Sequence, residues 1–224
     1  MATILIATRN AHKVSEISAI LGKRFQFLTL NDFPGAPKVV EDADTFAGNA
    51  EKKSSELAQW LSVNHHSSTT TCEFVLADDS GLEVEALDGA PGVYSARFAA
   101  MDSKENSPDA DNNARLLRLL KDFPIEKRTA QFHCVLALTP VPSKKTESAS
   151  PVCYADEPTQ LFDGVCEGKI IFEPRGKNGF GYDPLFVPNG FDQTFAELGD
   201  EVKNKISHRS KALEKLKQLL IANV

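Results

Sequence analysis

The chain has 224 residues, 42% of them hydrophobic, so it is long enough to bury a sizeable core without disulfides or structural metals. Its 31 acidic and 25 basic residues give a net charge of −6, which argues against a protein that binds nucleic-acid backbones through a basic surface. No apolar segment approaches the roughly 18 residues of a membrane span, and the four cysteines form no CxxC pair. We therefore expect one domain over residues 1–224, soluble and cytoplasmic, with no nucleic-acid or membrane partner.

The first polar turn is a candidate anion site. Apolar residues 3–7 predict a buried strand, and residues 13–21 predict a helix with apolar side chains at helical spacing. A strand followed by a helix start gathers backbone N–H groups that can hold an anion, and Lys13 would add a positive charge. The turn lacks the glycines of a Walker loop, and an ordinary capped helix start is the alternative interpretation. Its residues are Thr8, Arg9, Asn10, Ala11, His12 and Lys13.

The second helix carries charged residues at and before its start. Residues 25–30 predict a strand, 31–37 a turn and 45–61 a helix. Asn49 and Lys53 are four residues apart and share one face of this helix. Favourable charge at a helix N-terminus would also explain the acids, and a solvated surface position would explain the lysine. The acids are Glu41, Asp42 and Asp44, and the apolar residues expected in the core are Phe46, Ala50, Leu57 and Leu61.

The most informative stretch lies near the middle of the chain. An apolar run from Val75 ends in Asp78, Asp79, Ser80 and Gly81, and a second run with period-two alternation follows. Paired carboxylates at a strand end indicate a hard cation with oxygen ligands, Mg²⁺ or Mn²⁺. The alternative is a turn between two hairpin strands, because Asp, Ser and Gly favour turns for local reasons.

Several further elements are predicted beyond this stretch. Residues 64–71 and 140–158 read as surface loops, 89–97 as a turn, and 129–138 as a strand. Residues 162–172 have strand character that is broken at Gly164 and Gly168. Residues 109–123 predict a helix whose core-facing residues are Leu116, Leu117, Leu119 and Leu120.

Two features stand out near the carboxyl end. Residues 173–184 combine three glycines, two cations and two aromatics, which is typical of a loop where backbone and an aromatic face approach a ligand. Ser207 is a natural N-cap, which places His208 and Arg209 in the first turn of a closing helix. Cations there oppose the helix dipole, so a functional role explains them better than capping.

Six motifs in this order resemble those of the inosine triphosphate pyrophosphatase family, and the resemblance extends from about residue 3 to about residue 220. The motifs are Thr8-x-Asn10-x-x-Lys13, Thr45-Phe46-x-x-Asn49-Ala50-x-x-Lys53, Ala77-Asp78-Asp79-Ser80-Gly81-Leu82, Gly89-Ala90-Pro91-Gly92-Val93-Tyr94-Ser95-Ala96-Arg97, Gly179-Phe180-Gly181-Tyr182-Asp183-Pro184 and Ser207-His208-Arg209.

The resemblance implies an α/β fold with an elongated, central, mixed and twisted sheet flanked by helices, and two lobes with the active-site cleft between them. It also implies a homodimer and Mg²⁺-dependent hydrolysis of a purine nucleoside triphosphate, ITP, dITP or XTP, to the monophosphate and pyrophosphate. Arg9 departs from the pattern, because the family often has glycine there.

The resemblance also assigns roles to residues. Glu41 and Asp79 match metal ligands, although Asp42 is an alternative to Glu41, and Asp79 is the expected catalytic carboxylate. Phe180 or Tyr182 would stack on the purine. The triphosphate would be held by Thr8, Asn10, Lys13 and Lys53, with Arg9, Ala11 and His12 in the same turn; the other nucleotide and base contacts would be Ser80, Phe180, Gly181, Tyr182, Asp183, Lys203, His208 and Arg209.

Three alternatives to this function remain at the level of sequence. A related house-cleaning pyrophosphatase would act on other modified nucleotides. A nucleotide sensor would bind without hydrolysis. A general Mg²⁺ phosphatase would release orthophosphate instead of pyrophosphate.

Overall fold

The computed structural model describes residues 2–64, 72–101, 105–142 and 158–222, so most of the predicted loops at 64–71 and 140–158 lie outside it. The predicted strands and helices are present in the predicted order, and the structure adds a strand at Phe186–Pro188 and a helix at Phe195–Ile206 that were not predicted. Within the described residues the strands are β1 (Thr3–Ile6), β2 (Gln26–Thr29), β3 (Phe74–Val84), β4 (Thr129–Pro140), β5 (Gln160–Ile170) and β6 (Phe186–Pro188). The α-helices are α1 (Ala11–Leu21), α2 (Phe46–Asn64), α3 (Asp109–Leu119), α4 (Phe195–Ile206) and α5 (His208–Ala222).

The six strands form one mixed sheet in the order β2-β1-β3-β4-β5-β6. β1 pairs in parallel with both β2 and β3, and β5 pairs with β6 in the antiparallel direction. The α-helices that connect β1 to β2 and β2 to β3 are the crossovers that parallel pairing requires. The predicted α/β fold with a mixed sheet is confirmed.

Strand β3 differs from its prediction. We expected a strand that ends at Asp78, with a turn at Asp78 to Gly81 as the alternative, but β3 runs unbroken from Phe74 to Val84. Both the strand end and the hairpin turn were therefore wrong. Asp79 is 8% exposed, so neighbouring structure covers a polar segment whose composition favours a turn.

The alternation of side chains along β3 separates the two acids. Val75 and Ala77 pack in one core with Leu57 and Ala58 of α2, and Asp79, two residues further, lies on that same face. Asp78 lies on the opposite face, where Lys13 at the start of α1 contacts it.

The described residues divide into two compact units. The first unit comprises those within Met1–Asp79, Val135–Phe162 and Leu213–Val224. The second unit comprises those within Ser80–Cys134 and Asp163–Ala212. The first has a core between β1, β3 and α2. The second has a core built from β3, β4, β5, α3 and the chain around β6. The strands β3, β4 and β5 each contribute residues to both units.

Two smaller expectations were wrong. β5 is not broken at Gly164 or Gly168, because these glycines admit close neighbours within a continuous strand. A Cβ atom at Gly164 would collide with the His208 carbonyl and lie 2.6 Å from the Ala212 nitrogen. α3 ends at Leu119, which is 42% exposed, whereas Leu116 and Leu120 are buried as expected. None of the described helices is both long and apolar enough to cross a membrane.

Candidate active site

The polar turn at residues 8–13, the candidate anion site of the sequence analysis, forms a capped helix start. Asn10 is the N-cap of α1, and its Oδ1 accepts hydrogen bonds from the N–H groups of His12 at 2.9 Å and Lys13 at 3.3 Å. Thr8 Oγ1 accepts from the Asn10 N–H at 3.1 Å. These N–H groups are already bonded, so an anion here would be held by side chains such as Lys13. Arg9, Asn10, Ala11 and His12 are exposed at this turn.

Two lysines approach the carboxylates of the first unit. Lys13 pairs with Asp78, and Lys53 pairs with Glu41 while donating to the Asp78 carbonyl at 3.1 Å. The neighbouring Lys52 instead pairs at 2.5 Å with Asp42, whose side chain is 65% exposed. The structure therefore brings Lys13, Lys53, Glu41 and Asp78 together and leaves Asp42 outside the group.

Asp79 has an altered acidity in this group. Burial raises its pKa from 3.8 to about 6, against the opposing effects of the Lys53 and Lys13 ammonium groups. The charge of Glu41 raises the pKa further, and a hydrogen bond from Asn49 lowers it. An acid poised near neutral pH in a cluster of charges is typical of a catalytic site.

The donor set fits a hard divalent cation. The described residues contain no group of three or more His, Cys, Asp and Glu side chains that would cage a metal by themselves. Mg²⁺ prefers one or two carboxylates, with waters and substrate phosphates filling its other positions. Glu41 and Asp79 would supply that number of carboxylates, and a bound cation would offset the free energy that burial of ionised Asp79 costs.

The second unit holds the residues assigned to the nucleoside. Arg209 is 1% exposed and donates from Nη2 to Ser80 Oγ at 2.9 Å. His208 stacks on Phe132 with ring centroids 4.8 Å apart. Ser207 caps α5 as predicted, because its Oγ accepts from the Ser210 N–H at 3.1 Å. The first turn of α5 is thus held by contacts to β3 and β4.

Phe180 is supported by a buried ion pair. Lys203 donates to Asp183 Oδ2 at 2.6 Å, and both side chains are 2% exposed. The same carboxylate oxygen accepts the Phe180 N–H at 2.9 Å, and the Lys203 ammonium lies 4.4 Å from the Phe180 ring centroid. Lys203 and Asp183 therefore hold the backbone and ring of Phe180 in the loop of residues 173–184, called the aromatic loop from here on. Phe180 itself is partly exposed.

Tyr182 is a core residue. It is 3% exposed, packs in the core of the second unit, and donates from its hydroxyl to the Ser95 carbonyl at 2.9 Å. Burial raises the pKa of this phenol well above its ordinary value, so the hydroxyl stays protonated. Of the two aromatics predicted to stack on a purine, Tyr182 is buried in the core and Phe180 is partly exposed.

Sequence reasoning missed two residues that hold this loop. Asp109 Oδ2 accepts the Gly181 N–H at 2.6 Å, and Asn113 donates to the Gly181 carbonyl at 3.0 Å. They lie 72 and 68 residues from Gly181 in the chain. Their spacing on one face of α3 is a weak signal that many helices share.

The family model described as the Ham1 family matches residues 4–219. The chain belongs to the Ham1 family. A protein of Exiguobacterium sibiricum named dITP/XTP pyrophosphatase is 47% identical over 97% of this chain and 96% of its own length. A protein of the same name from Desulforamulus reducens is 45% identical over 97% and 94%.

A solved structure of a HAM1 protein from Coxiella burnetii superposes with a TM-score of 0.78. It is 36% identical and covers 99% of this chain and all of its own, so the fold is that of Ham1 proteins. The resemblance drawn from the six motifs is confirmed.

Proposed function

We propose that this Ham1 protein hydrolyses non-standard purine nucleoside triphosphates, ITP, dITP and XTP, to the monophosphate and pyrophosphate, and so cleanses the nucleotide pool. The names of its relatives support the substrate class. One observation carries the proposal from the structure: the acidic and lysine-rich group ends at Asp79, and the group built around Arg209 and Phe180 begins at the next residue, Ser80. The residues proposed to bind the phosphates and those proposed to bind the base are therefore adjacent in the chain at Asp79 and Ser80.

The charges suit a triphosphate. Such a ligand carries three to four negative charges, and this chain is acidic overall, so local cations are required. Lys13 and Lys53 supply them, and each forms an ion pair with a carboxylate, Lys13 with Asp78 and Lys53 with Glu41. We infer that both ammonium groups turn to phosphate oxygens when the substrate binds.

Asp79 is suited to orient and deprotonate the attacking water. Before a cation binds, its pKa of about 6 lies close enough to neutral pH for an ionised carboxylate that still accepts a proton readily. We propose that Glu41 and Asp79 hold Mg²⁺, with Mn²⁺ as a substitute. Bound there, the cation would neutralise the pyrophosphate leaving group and lower the pKa of its waters.

Base selectivity follows from donors in the second unit. Hypoxanthine and xanthine present a keto oxygen at position 6, where adenine presents an amino donor. Arg209 and His208 are donors held in place by Ser80 and Phe132, so they would bond to the keto oxygen of hypoxanthine or xanthine and would meet a donor at that position in adenine. Sites of this kind reject the analogue that lacks the bonding group by about 10⁴-fold or more.

The deciding experiment measures pyrophosphate and orthophosphate release from dITP, XTP, dATP and dGTP with Mg²⁺. We expect pyrophosphate from dITP and XTP, loss of this activity in Asp79→Asn, and normal activity in the exposed control Asp122→Asn. Equal turnover of all four nucleotides would refute the base selectivity. Orthophosphate as the product would indicate a general phosphatase, and binding without turnover would indicate a sensor.

We also propose a homodimer that works in the cytoplasm. The resemblance to the family supports the dimer, and the nucleotide substrate supports the compartment. Sedimentation equilibrium of the purified chain tests the first, and cell fractionation tests the second.

A further inference from the structure

Helix α3 forms hydrogen bonds with both backbone polar groups of Gly181 in the aromatic loop. Asp109 Oδ2 accepts the Gly181 N–H at 2.6 Å, and Asn113 Nδ2 donates to the Gly181 carbonyl at 3.0 Å. The two side chains are four residues apart, so they project from the same face of the helix. Gly181 has a φ of +63°, a conformation that L-residues other than glycine adopt only at a cost.

These two hydrogen bonds fix the backbone next to Phe180. The Gly181 N–H belongs to the peptide group that follows Phe180, and Asp109 holds it. The Phe180 N–H belongs to the preceding peptide group, and Asp183 holds it at 2.9 Å. With the peptide groups on both sides fixed, the direction of the Phe180 Cα–Cβ bond is set. The ring is left with little freedom beyond its own side-chain rotation.

We propose that Asp109 and Asn113 are positioning residues that hold Phe180 in place for a purine base. They touch neither substrate nor metal in this scheme, and they act through Gly181. The inference rests on the proposed function, because it requires that Phe180 stacks on the base of the substrate. It assigns a role to the face of α3 that none of the six sequence motifs includes.

The physical basis is preorganisation. A loop with glycines on both sides of its aromatic residue has many conformations, and a base that binds such a loop must order it first. The contacts from α3 order the loop before the ligand arrives. Removing one of them weakens base binding, whereas the lysines and carboxylates that hold the phosphates keep their geometry.

The test compares Asp109→Ala with two matched variants. Asp111→Ala removes an exposed acid from the same first turn of α3 and controls for helix-end charge. Asp109→Asn keeps an acceptor oxygen of the same reach and should restore the contact. We expect Asp109→Ala to raise KM for dITP about five- to ten-fold with kcat within two-fold. Asp109→Asn should recover most of the loss, and Asp111→Ala should match the wild type.

A ligand without a base separates positioning from general damage. Inorganic tripolyphosphate should inhibit the wild type and Asp109→Ala with the same inhibition constant, because it uses only the phosphate-binding side chains. Asn113→Asp, a nearly isosteric change that replaces the donor with an acceptor, should raise KM for dITP at least as much as Asp109→Ala.

The outcomes are distinguishable. A wild-type protein that fails to turn over dITP would overturn the proposed function and this inference together. Normal wild-type turnover, with an Asp109→Ala variant that keeps the wild-type KM, would overturn the positioning role alone. An equal loss of dITP and tripolyphosphate binding would show that the helix supports the whole protein, and would also overturn the positioning role.

Discussion

At the scale of single residues, Asp78 and Asp79 are neighbours with different environments. Asp78 pairs with Lys13, whereas Asp79 lies on the opposite face of β3, beside α2. Because a strand alternates its side chains, adjacent acids can do separate work without sharing a proton. The motif therefore supplies one carboxylate that is neutralised by a lysine and one that burial keeps poised near neutral pH.

The elevated pKa of Asp79 predicts a cost to folding. Between pH 3.8 and about 6 the unfolded chain loses this proton and the folded chain keeps it, so stability falls as the pH rises. Above pH 6 the full cost applies, about 3 kcal/mol for a gap of about two pH units. We expect Asp79→Asn to raise the free energy of unfolding by about 2–3 kcal/mol at pH 8 without metal, and to change it little at pH 4.

Urea denaturation at the two pH values measures this difference. The exposed variant Asp122→Asn is the control, and it should show no such gain at either pH. A loss of stability in Asp79→Asn at pH 8 would contradict the electrostatic account, because it would mean that the ionised carboxylate supports the fold.

Lys52 and Lys53 offer a matched pair of substitutions. Lys53 is partly buried against Glu41 and Asp78, whereas Lys52 pairs with Asp42 at the surface. We expect Lys53→Met to lower kcat/KM for dITP at least 100-fold, because a phosphate contact made with charge would be lost. Lys52→Met should stay within two-fold. Steady-state kinetics with saturating Mg²⁺ measure both, and equal effects would refute the assignment of Lys53.

At the scale of elements, β5 and α5 depend on one glycine. Gly164 lies so close to the backbone of α5 that a methyl group has no room against the His208 carbonyl. We expect Gly164→Ala to lower the free energy of unfolding by about 2–3 kcal/mol, because overpacking forces backbone shifts. Gly35→Ala is the control, since among the described residues its Cβ would meet only Trp60, at 3.7 Å.

Thermal denaturation of the two variants decides the matter. Gly35→Ala should be neutral or slightly stabilising, because it restricts the unfolded chain. A Gly164→Ala variant as stable as the wild type would mean that β5 and α5 can separate at no cost, in conflict with the close approach.

At this same scale, the sequence was informative where a periodic pattern decided the element. Most strands and helices end within a few residues of their predicted bounds, because burial along one face sets their period. The prediction for β3 was wrong, since its turn-forming residues are held extended by neighbouring elements. β6 and α4 were not predicted at all. The sequence also did not predict the burial of Tyr182 in the core. Nor did it predict the contact of Asp109 with Gly181, because the two residues are far apart in the chain. The motifs predicted which residues form the site, but they did not predict the contacts that those residues make.

At the scale of the whole molecule, the two units share three strands, so we expect them to unfold together. Burial raises the pKa of Cys72 in the first unit and of Cys166 in the second to about 11. Little thiolate exists at pH 8 in the folded protein, so alkylation should be at least 100-fold slower than in the unfolded chain. In a Cys153→Ser background, both thiols should become reactive over the same range of urea concentration.

Mass spectrometry of digested samples measures the two sites separately. Labelling of one cysteine at clearly lower urea than the other would show that the units unfold independently. Rapid labelling of either thiol without urea would contradict the burial that raises its pKa.

The unbroken course of β3 has a consequence for changes in chain length. Substitutions at Ser80 would alter the contact with Arg209 and leave Asp79 on its own face of the sheet. A single inserted residue before Asp79 would exchange the faces of every side chain that follows, and would send the carboxylate away from Lys53. A substitution in this strand therefore changes single contacts, whereas an insertion or deletion changes the face of every residue after it. A tag or spacer should not be inserted here.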